Sequence, residues 1–157
     1  MQPAYFYSSE ISVNQKEFKL SGSEAHHAIK VRRVTEGEIV FITNGEGLVI
    51  EAIVLKIESG KSLLLESKQT QQQNQKKPII AVAQALAKGD RSDLSVELLT
   101  EVGVDEIIPW QANRSVSKWD EKEDKALEKW IQISRESSKQ SRRGIFPKIT
   151  KIGRAHV

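Results

Sequence analysis

Short alternations of apolar and polar positions fill the first 66 residues. Tyr5-Phe6-Tyr7 and Glu17-Phe18-Lys19-Leu20 read as brief strands. Gly37-Glu38-Ile39-Val40-Phe41-Ile42 leads into Thr43-Asn44-Gly45, and Leu48 to Ile57 follows with Val49, Ile50, Ile53, Val54, Leu55 and Ile57. Ser62 to Glu66 adds a further strand after Ser59-Gly60. An Asn-Gly pair between β-rich runs predicts a hairpin, because both residues tolerate positive φ. One helix interrupts the series. Ser21 or Ser23 can cap it, Glu24 favours its first turn, and Ala25, Ala28, Ile29 and Arg32 lie at helical spacing before Gly37. A small twisted β-barrel carrying one basic helix is the simplest assembly.

Lys68-Gln69-Thr70-Gln71-Gln72-Gln73-Asn74-Gln75-Lys76-Lys77 then offers nothing apolar to bury, and Pro78 biases Lys77 away from helix. The stretch reads as a linker or long exposed loop. Beyond it the periodicity changes. Ile79 to Leu86 is a continuous apolar run, as expected of a strand buried on both faces of a parallel sheet. Lys88-Gly89-Asp90-Arg91-Ser92 is a loop. Asp93 to Val102 puts Leu94, Leu98, Leu99 and Val102 on one stripe, with Glu97 and Glu101 outside it and Gly103 as the C-terminal cap. Val104 to Trp110 is the next strand, giving one parallel crossover unit. A longer helix from about Asp120 to Arg142 buries Leu127, Trp130 and Ile131, and Ile145 to Ile149 starts a third strand.

The expected fold class is therefore α/β, in four parts. A barrel spans 1–68, a Gln-rich linker 69–77, and the first part of an α/β domain 78–151. Residues 152–157 form the last part. Ile152-Gly153-Arg154-Ala155-His156-Val157 can be read as a translated sequencing-adapter stretch, so Arg154 and His156 receive no functional weight. Two strands and the start of a third make an unfinished open sheet. The barrel is expected to fold independently, and the second segment to be partly molten.

Composition narrows the chemistry. At 157 residues, with 38% hydrophobic and 29% charged positions, the chain can bury a core. Zero cysteines exclude disulfides, thiolate metal sites and a cysteine nucleophile, and His26, His27 and His156 form no spaced zinc set. No apolar run approaches the roughly 20 residues of a membrane span. No secretory signal is visible, and a cytoplasmic location is expected. The net charge of +3 is unevenly distributed. Residues 129–157 hold eight Lys/Arg against one Asp/Glu, centred on Arg135, Lys139, Arg142, Arg143 and Lys148. Such an excess is either a solvated helix face and tail or a grip for an anion such as RNA.

The order of motifs resembles a known family. Glu24-Ala25-His26-His27-Ala28-Ile29-Lys30-Val31-Arg32-Arg33 is followed by Glu36-Gly37-Glu38 and Thr43-Asn44-Gly45. Downstream come Gln84-Ala85-Leu86-Ala87-Lys88-Gly89-Asp90-Arg91, Leu99 to Pro109, Asn113-Arg114-Ser115-Val116, Lys129-Trp130-Ile131 and Arg135 to Arg143, closing on Pro147. From Met1 to about Thr150 the chain resembles the bacterial small-subunit ribosomal RNA uracil-N3 methyltransferases. The resemblance implies a PUA-like RNA-binding barrel joined to a knotted SPOUT domain, with S-adenosyl-L-methionine as cofactor. It further implies 16S ribosomal RNA in the small ribosomal subunit as partner, a homodimer at full length, and no metal or membrane. The family's Gly-Pro-Glu-Gly-Gly loop and its later Leu-Gly…Leu-Arg…Glu-Thr segment do not occur here. The resemblance therefore places the cofactor site, the knot and much of the dimer interface beyond Lys151, and the chain as written is expected to transfer no methyl group.

Three basic groups follow as candidate RNA contacts. Lys30, Arg32 and Arg33, with the Asn44-Gly45 turn exposing backbone N–H groups, are implied to dock RNA; a solvated helix face and an ordinary turn are the alternative. Lys88, Arg91 and Arg114 follow the two parallel strands, where open sheets place ligands. Asp90 and Ser92 could equally cap the next helix. Arg135, Arg142 and Arg143 lie on the basic half of the long helix with Lys139, Glu136 and Gln140, where a helix end answering its own dipole is the alternative. No catalytic base can be named; Glu101 suits an ion pair, His26 or His27 packs on the barrel, and Trp110, Trp119 and Trp130 read as core anchors. A non-catalytic RNA-binding or ribosome-assembly module is the competing reading.

Overall fold

The computed structural model describes residues 3–154. Its chain forms two units. One comprises the residues up to Gln75 together with Arg142–Ile145; the other comprises Lys76–Ser141 and the residues from Phe146 onward.

The first unit is built on a five-stranded sheet. Its elements are β1 (Tyr5–Tyr7), β2 (Glu17–Leu20), α1 (Gly22–His26), β3 (Ile39–Thr43), β4 (Leu48–Glu58) and β5 (Ser62–Gln72). The strand order is β1-β3-β4-β5-β2, with β1 parallel to β3 and the other pairs antiparallel. Alternation sends Phe6, Phe18, Leu20, Val40, Ile42, Ile50, Val54, Leu63 and Leu65 into one core, which Ala25 and Ala28 join from the helical segment. Two register shifts between β4 and β5 bend the long hairpin around that core.

Two expectations for this unit are corrected. The Gln-rich stretch is not all linker: β5 continues to Gln72, pairing Gln69, Thr70, Gln71 and Gln72 with Glu51, Ile50, Val49 and Leu48. Ladder bonds use only the backbone, so an apolar β4 can template a polar partner whose own side chains stay largely in solvent. The helix also changes type. After α1, residues His27–Val31 form a π-turn in which the Arg32 N–H donates to the carbonyl of His27, five residues back, at 3.0 Å. Arg32, at the end of this wider turn, stands in solvent.

The second unit contains β6 (Ala81–Ala85), α2 (Asp90–Glu101), β7 (Glu106–Gln111), α3 (Glu123–Gln140), β8 (Lys148–Ile149) and β9 (Gly153–Arg154), with a 3₁₀ turn at Asp120–Lys122 leading into α3. β6, β8 and β9 all pair with β7 in parallel. Leu86, Val96, Val104, Ile107 and Trp130 form the core, flanked by Val82, Leu99, Trp119, Ile133, Ile149 and Ile152. Of residues 152–157, those at 155–157 lie outside the described part.

Burial in this unit departs from the predicted stripes. β6 is an edge strand with Ala81, Ala83 and Ala85 exposed, so it is not covered on both faces. On α2 the buried positions are Val96 and Thr100, while Leu98 is 50% and Val102 76% exposed. A hydroxyl can take the buried position because Thr100 Oγ1 donates to the Val96 carbonyl at 2.8 Å and lies 3.3 Å from Ser134 Oγ on α3. On α3 the inward residues are Trp130, Ser134, Ser137 and Ser138, with Ile131 turned outward. The third strand begins only at Lys148, because Ile145 instead bridges Glu46 in the first unit.

Candidate nucleic-acid interface

Lys30, Arg32 and Arg33 stand in solvent at the end of the π-turn. Arg33 has φ 54°, a left-handed turn that ends the helical segment before Val34 returns to the core. Three cations thus lie within four positions, anchored by Ala28 on one side and Val34 on the other. His27 packs edge-on against Phe6, with ring centroids 6.1 Å apart, as a structural histidine.

The Asn44-Gly45 turn does not present free backbone donors. Asn44 Oδ1 accepts from the N–H of Glu46 (2.8 Å) and of Leu48 (3.1 Å). Thr43 Oγ1 accepts from Gly45 N–H at 3.0 Å and donates to the Gly144 carbonyl at 3.0 Å. Gly47 N–H donates to the same carbonyl at 2.9 Å. Gly144 N–H in turn reaches Gln73 Oε1 at 3.1 Å. The loop is four residues rather than two, and its N–H groups are consumed internally, which corrects the expected mode of contact. A segment some hundred residues downstream clamps it, a pairing that Gly47 and Gly144 alone could have hinted at.

That clamp relocates the third basic group. α3 ends at Gln140, and Arg142, with φ 56°, sits exposed in the first unit. Arg143 is half-buried there. Arg135 is half-buried on α3. Lys139 is only 5% exposed and pairs with Glu136 Oε1 at 2.9 Å, so its charge is largely neutralised one turn away. The predicted continuous cationic helix face is therefore corrected: Lys139 is inside and the two terminal arginines belong elsewhere.

Lys88, Arg91 and Arg114 are exposed in the loops after β6 and β7 and at the start of α2. Gly89, with φ 64°, is the residue before α2, and neither Asp90 nor Ser92 makes a capping bond. Ser92 Oγ instead accepts from Trp130 Nε1 at 3.2 Å, and Asp93 Oδ2 meets Lys129 Nζ at 2.6 Å. That bond, with nearby Asp90, holds the Lys129 ammonium above its usual pKa. Between these loops and α3 lies a cavity of about 370 Å³ whose lining includes Gly89, Asp93, Lys118, Trp119, Lys129 and Trp130. Trp119 meets Trp130 edge-on with ring centroids 5.0 Å apart. Among the described residues no cluster of His, Asp and Glu could hold a metal, and no helix is long and apolar enough to cross a membrane.

Residues 73–155 match the family model described as an RNA methyltransferase domain, and residues 20–66 match an RNA methyltransferase PUA domain. The chain belongs to this RNA methyltransferase family. Similar curated proteins include "Ribosomal RNA small subunit methyltransferase E" of Mycobacterium bovis, 35% identical over 131 residues that cover 83% of this chain and 50% of the relative. The Bacillus subtilis protein of the same name is 31% identical over 137 residues, covering 86% of this chain and 53% of the relative. The chain thus spans about half the length of the curated relatives it matches. Among solved structures, the Neisseria gonorrhoeae methyltransferase E bound to S-adenosyl methionine superimposes with a TM-score of 0.85 at 25% identity, covering 96% of this chain and 62% of that one. A probable rRNA-methyltransferase from Porphyromonas gingivalis gives 0.76 at 27% identity, covering 96% and 60%.

The Neisseria gonorrhoeae protein holds S-adenosyl methionine. The cavity described above does not fit it. Lys118 and Lys129 rim the space, and its one carboxylate, Asp93, is already paired. The pairing of Asp93 with Lys129 leaves Lys118 as the uncompensated charge of the lining, which disfavours a sulfonium cation, and leaves no free acid for ribose hydroxyls.

Proposed function

We propose that this chain is the RNA-gripping portion of a cytoplasmic enzyme that methylates uracil N3 in 16S ribosomal RNA of the small subunit and works as a homodimer. One observation carries the reading: a PUA-type RNA methyltransferase module and an RNA methyltransferase domain follow one another in a single chain. Lys30, Arg32 and Arg33 take backbone phosphates. Lys88, Arg91 and Arg114, at the carboxyl ends of β6 and β7, orient the target nucleotide. Arg142 and Arg143 extend the phosphate contacts of the first unit.

The chemistry explains why positioning groups dominate. A neutral imide nitrogen is a poor nucleophile, so the N3 proton must leave and the resulting anion must be stabilised. N3 lies on the Watson–Crick edge, so the base must be unpaired or extruded first. Cationic side chains that hold flanking phosphates contribute by fixing orientation, where much of the rate gain of such reactions originates.

The 157-residue chain is expected to bind a small-subunit rRNA fragment with affinity that falls steeply with salt. Replacing Lys30, Arg32 and Arg33 by alanine should lower the slope of log K against log salt by about one per phosphate contact removed. Filter binding from low to moderate salt measures this. Equal slopes for both proteins would remove these residues from the RNA contact.

A further inference from the structure

We infer that the outer face of the first unit carries a stacking platform for an unpaired nucleobase, formed by Tyr5 and Phe41, with Arg142 as the phosphate contact beside it. The inference rests on the RNA-binding reading above and goes further, because it names residues that the basic-cluster argument does not reach and the chemical group they hold.

The geometry begins with strand alternation. In β1 and β3 the inward residues Phe6, Val40 and Ile42 fill the core. Tyr5 and Phe41 occupy the intervening positions and are direct partners across the parallel ladder. Their rings stack with centroids 5.0 Å apart and planes inclined by 19°. Both remain half-exposed. β1 ends the sheet order, so the far side of Tyr5 faces the sheet edge and has no neighbouring strand in the ladder. On the other side of Phe41 the ladder places Glu51 of β4, a carboxylate that disfavours phosphate there. The β1 edge carries a carboxylate of its own, Glu24, which accepts the Tyr7 N–H at 2.9 Å, so it is the open ring face at the sheet edge, and not charge, that directs a base to Tyr5.

The cation belongs to a segment that lies on the same face of the sheet. Thr43 shares the face of Phe41 two positions along β3 and pairs with Tyr7 of β1. Its hydroxyl holds the Gly144 carbonyl, so the Arg142–Ile145 segment lies across the same face. A Cβ on Gly144 would approach Val49 Cγ2 to 2.5 Å, which shows how closely the segment is seated against β4. Arg142 is exposed, and its charge is felt at Tyr5: burial raises the phenol pKa and Arg142 opposes the rise. The phenol thus stays protonated and neutral in the physiological range, as a stacking ring next to an anionic strand requires.

The arrangement combines what single-stranded nucleic acid binds: a flat π-surface for a base and a guanidinium for the adjoining phosphate. Base–aromatic stacking is tolerant of base identity, so the platform adds affinity for an unpaired nucleotide and reads no sequence. Sixteen buried residues hold the sheet beneath it, so the rings can be changed without removing core packing.

The test uses the full chain and an unpaired rRNA oligonucleotide. Tyr5→Leu and Phe41→Leu keep apolar bulk and remove the aromatic face, and Tyr5→Phe keeps the ring without the hydroxyl. Each leucine variant is expected to weaken binding about five- to a hundredfold with the salt slope unchanged, whereas Tyr5→Phe binds as the parent does. Arg142→Gln should lower the slope by about one. Far-UV circular dichroism and melting confirm that each variant is folded; an unfolded leucine variant is replaced by Tyr5→Ile or Phe41→Ile. Folded leucine variants that bind like the parent would overturn the platform while leaving the RNA-binding reading intact. A parent chain with no measurable RNA affinity would overturn the RNA-binding reading itself.

Discussion

Trp130→Ala is expected to cost the second unit about 3–5 kcal/mol, enough to melt most of its structure at room temperature. Trp130 is 2% exposed and is the largest of the five buried side chains in that core. It also donates its indole N–H to Ser92 Oγ at 3.2 Å and meets Trp119 edge-on. The layer around this core is only partly buried, and Leu94 and Leu98 on α2 and Val102 just after it are exposed and contribute little burial. Trp130→Phe keeps a ring and loses the donor, and should cost about 1–2 kcal/mol. Urea unfolding followed by hydrogen exchange in β6, β7 and α3 separates these cases. An alanine variant as stable as the parent would show that the second unit draws its stability from elsewhere.

Gly47→Ala is expected to destabilise the first unit by about 2–4 kcal/mol. Two costs coincide at this position. Its φ of 106° is strained for any L side chain. An added Cβ would also lie 2.3 Å from the Gln73 carbonyl oxygen and 2.7 Å from Gln72 Nε2. Relief of that contact must break the bond from Gln73 N–H to the Gly47 carbonyl, 2.7 Å, and with it the anchoring of Gly144. Gly60→Ala is the control. Its φ is 66° with no atom within 4 Å of the added Cβ, so only the conformational cost of about 1–2 kcal/mol remains. Thermal melts of the two variants should differ clearly; equal shifts would mean that the clamp at Gly47 yields without cost.

Much of the first unit was legible because its strands alternate and its core is one-sided. Phe18, Leu20, Val40, Ile42, Leu63 and Leu65 all point inward as their spacing indicates. The end of β5 was not legible, since Gln69 to Gln72 pair through backbone groups that composition does not report. In the second unit, hydrophobicity misled where polar groups found partners. Thr100 and Ser134 are buried through mutual contact and a helical carbonyl, while Leu98 and Val102 face outward. Lys139 shows the same effect for charge, because Glu136 three residues earlier allows it to be buried. The positions of Lys30, Arg32 and Arg33 were readable from local helix geometry, although the π-turn that leads to Arg32 was not. Arg142 could be recognised as basic, but its place in the first unit depends on a contact between Thr43 and Gly144, 101 positions apart. Contacts at that separation leave no periodic trace.

The most direct measurement is where a methyl group goes. Under the proposed function, the full-length product of the locus, given small ribosomal subunits and labelled S-adenosylmethionine, is expected to place one methyl on N3 of a single 16S uridine, as mapped by nuclease digestion and mass spectrometry. Label on a ribose or a base carbon, or salt-sensitive RNA binding with no label at all, would contradict the account.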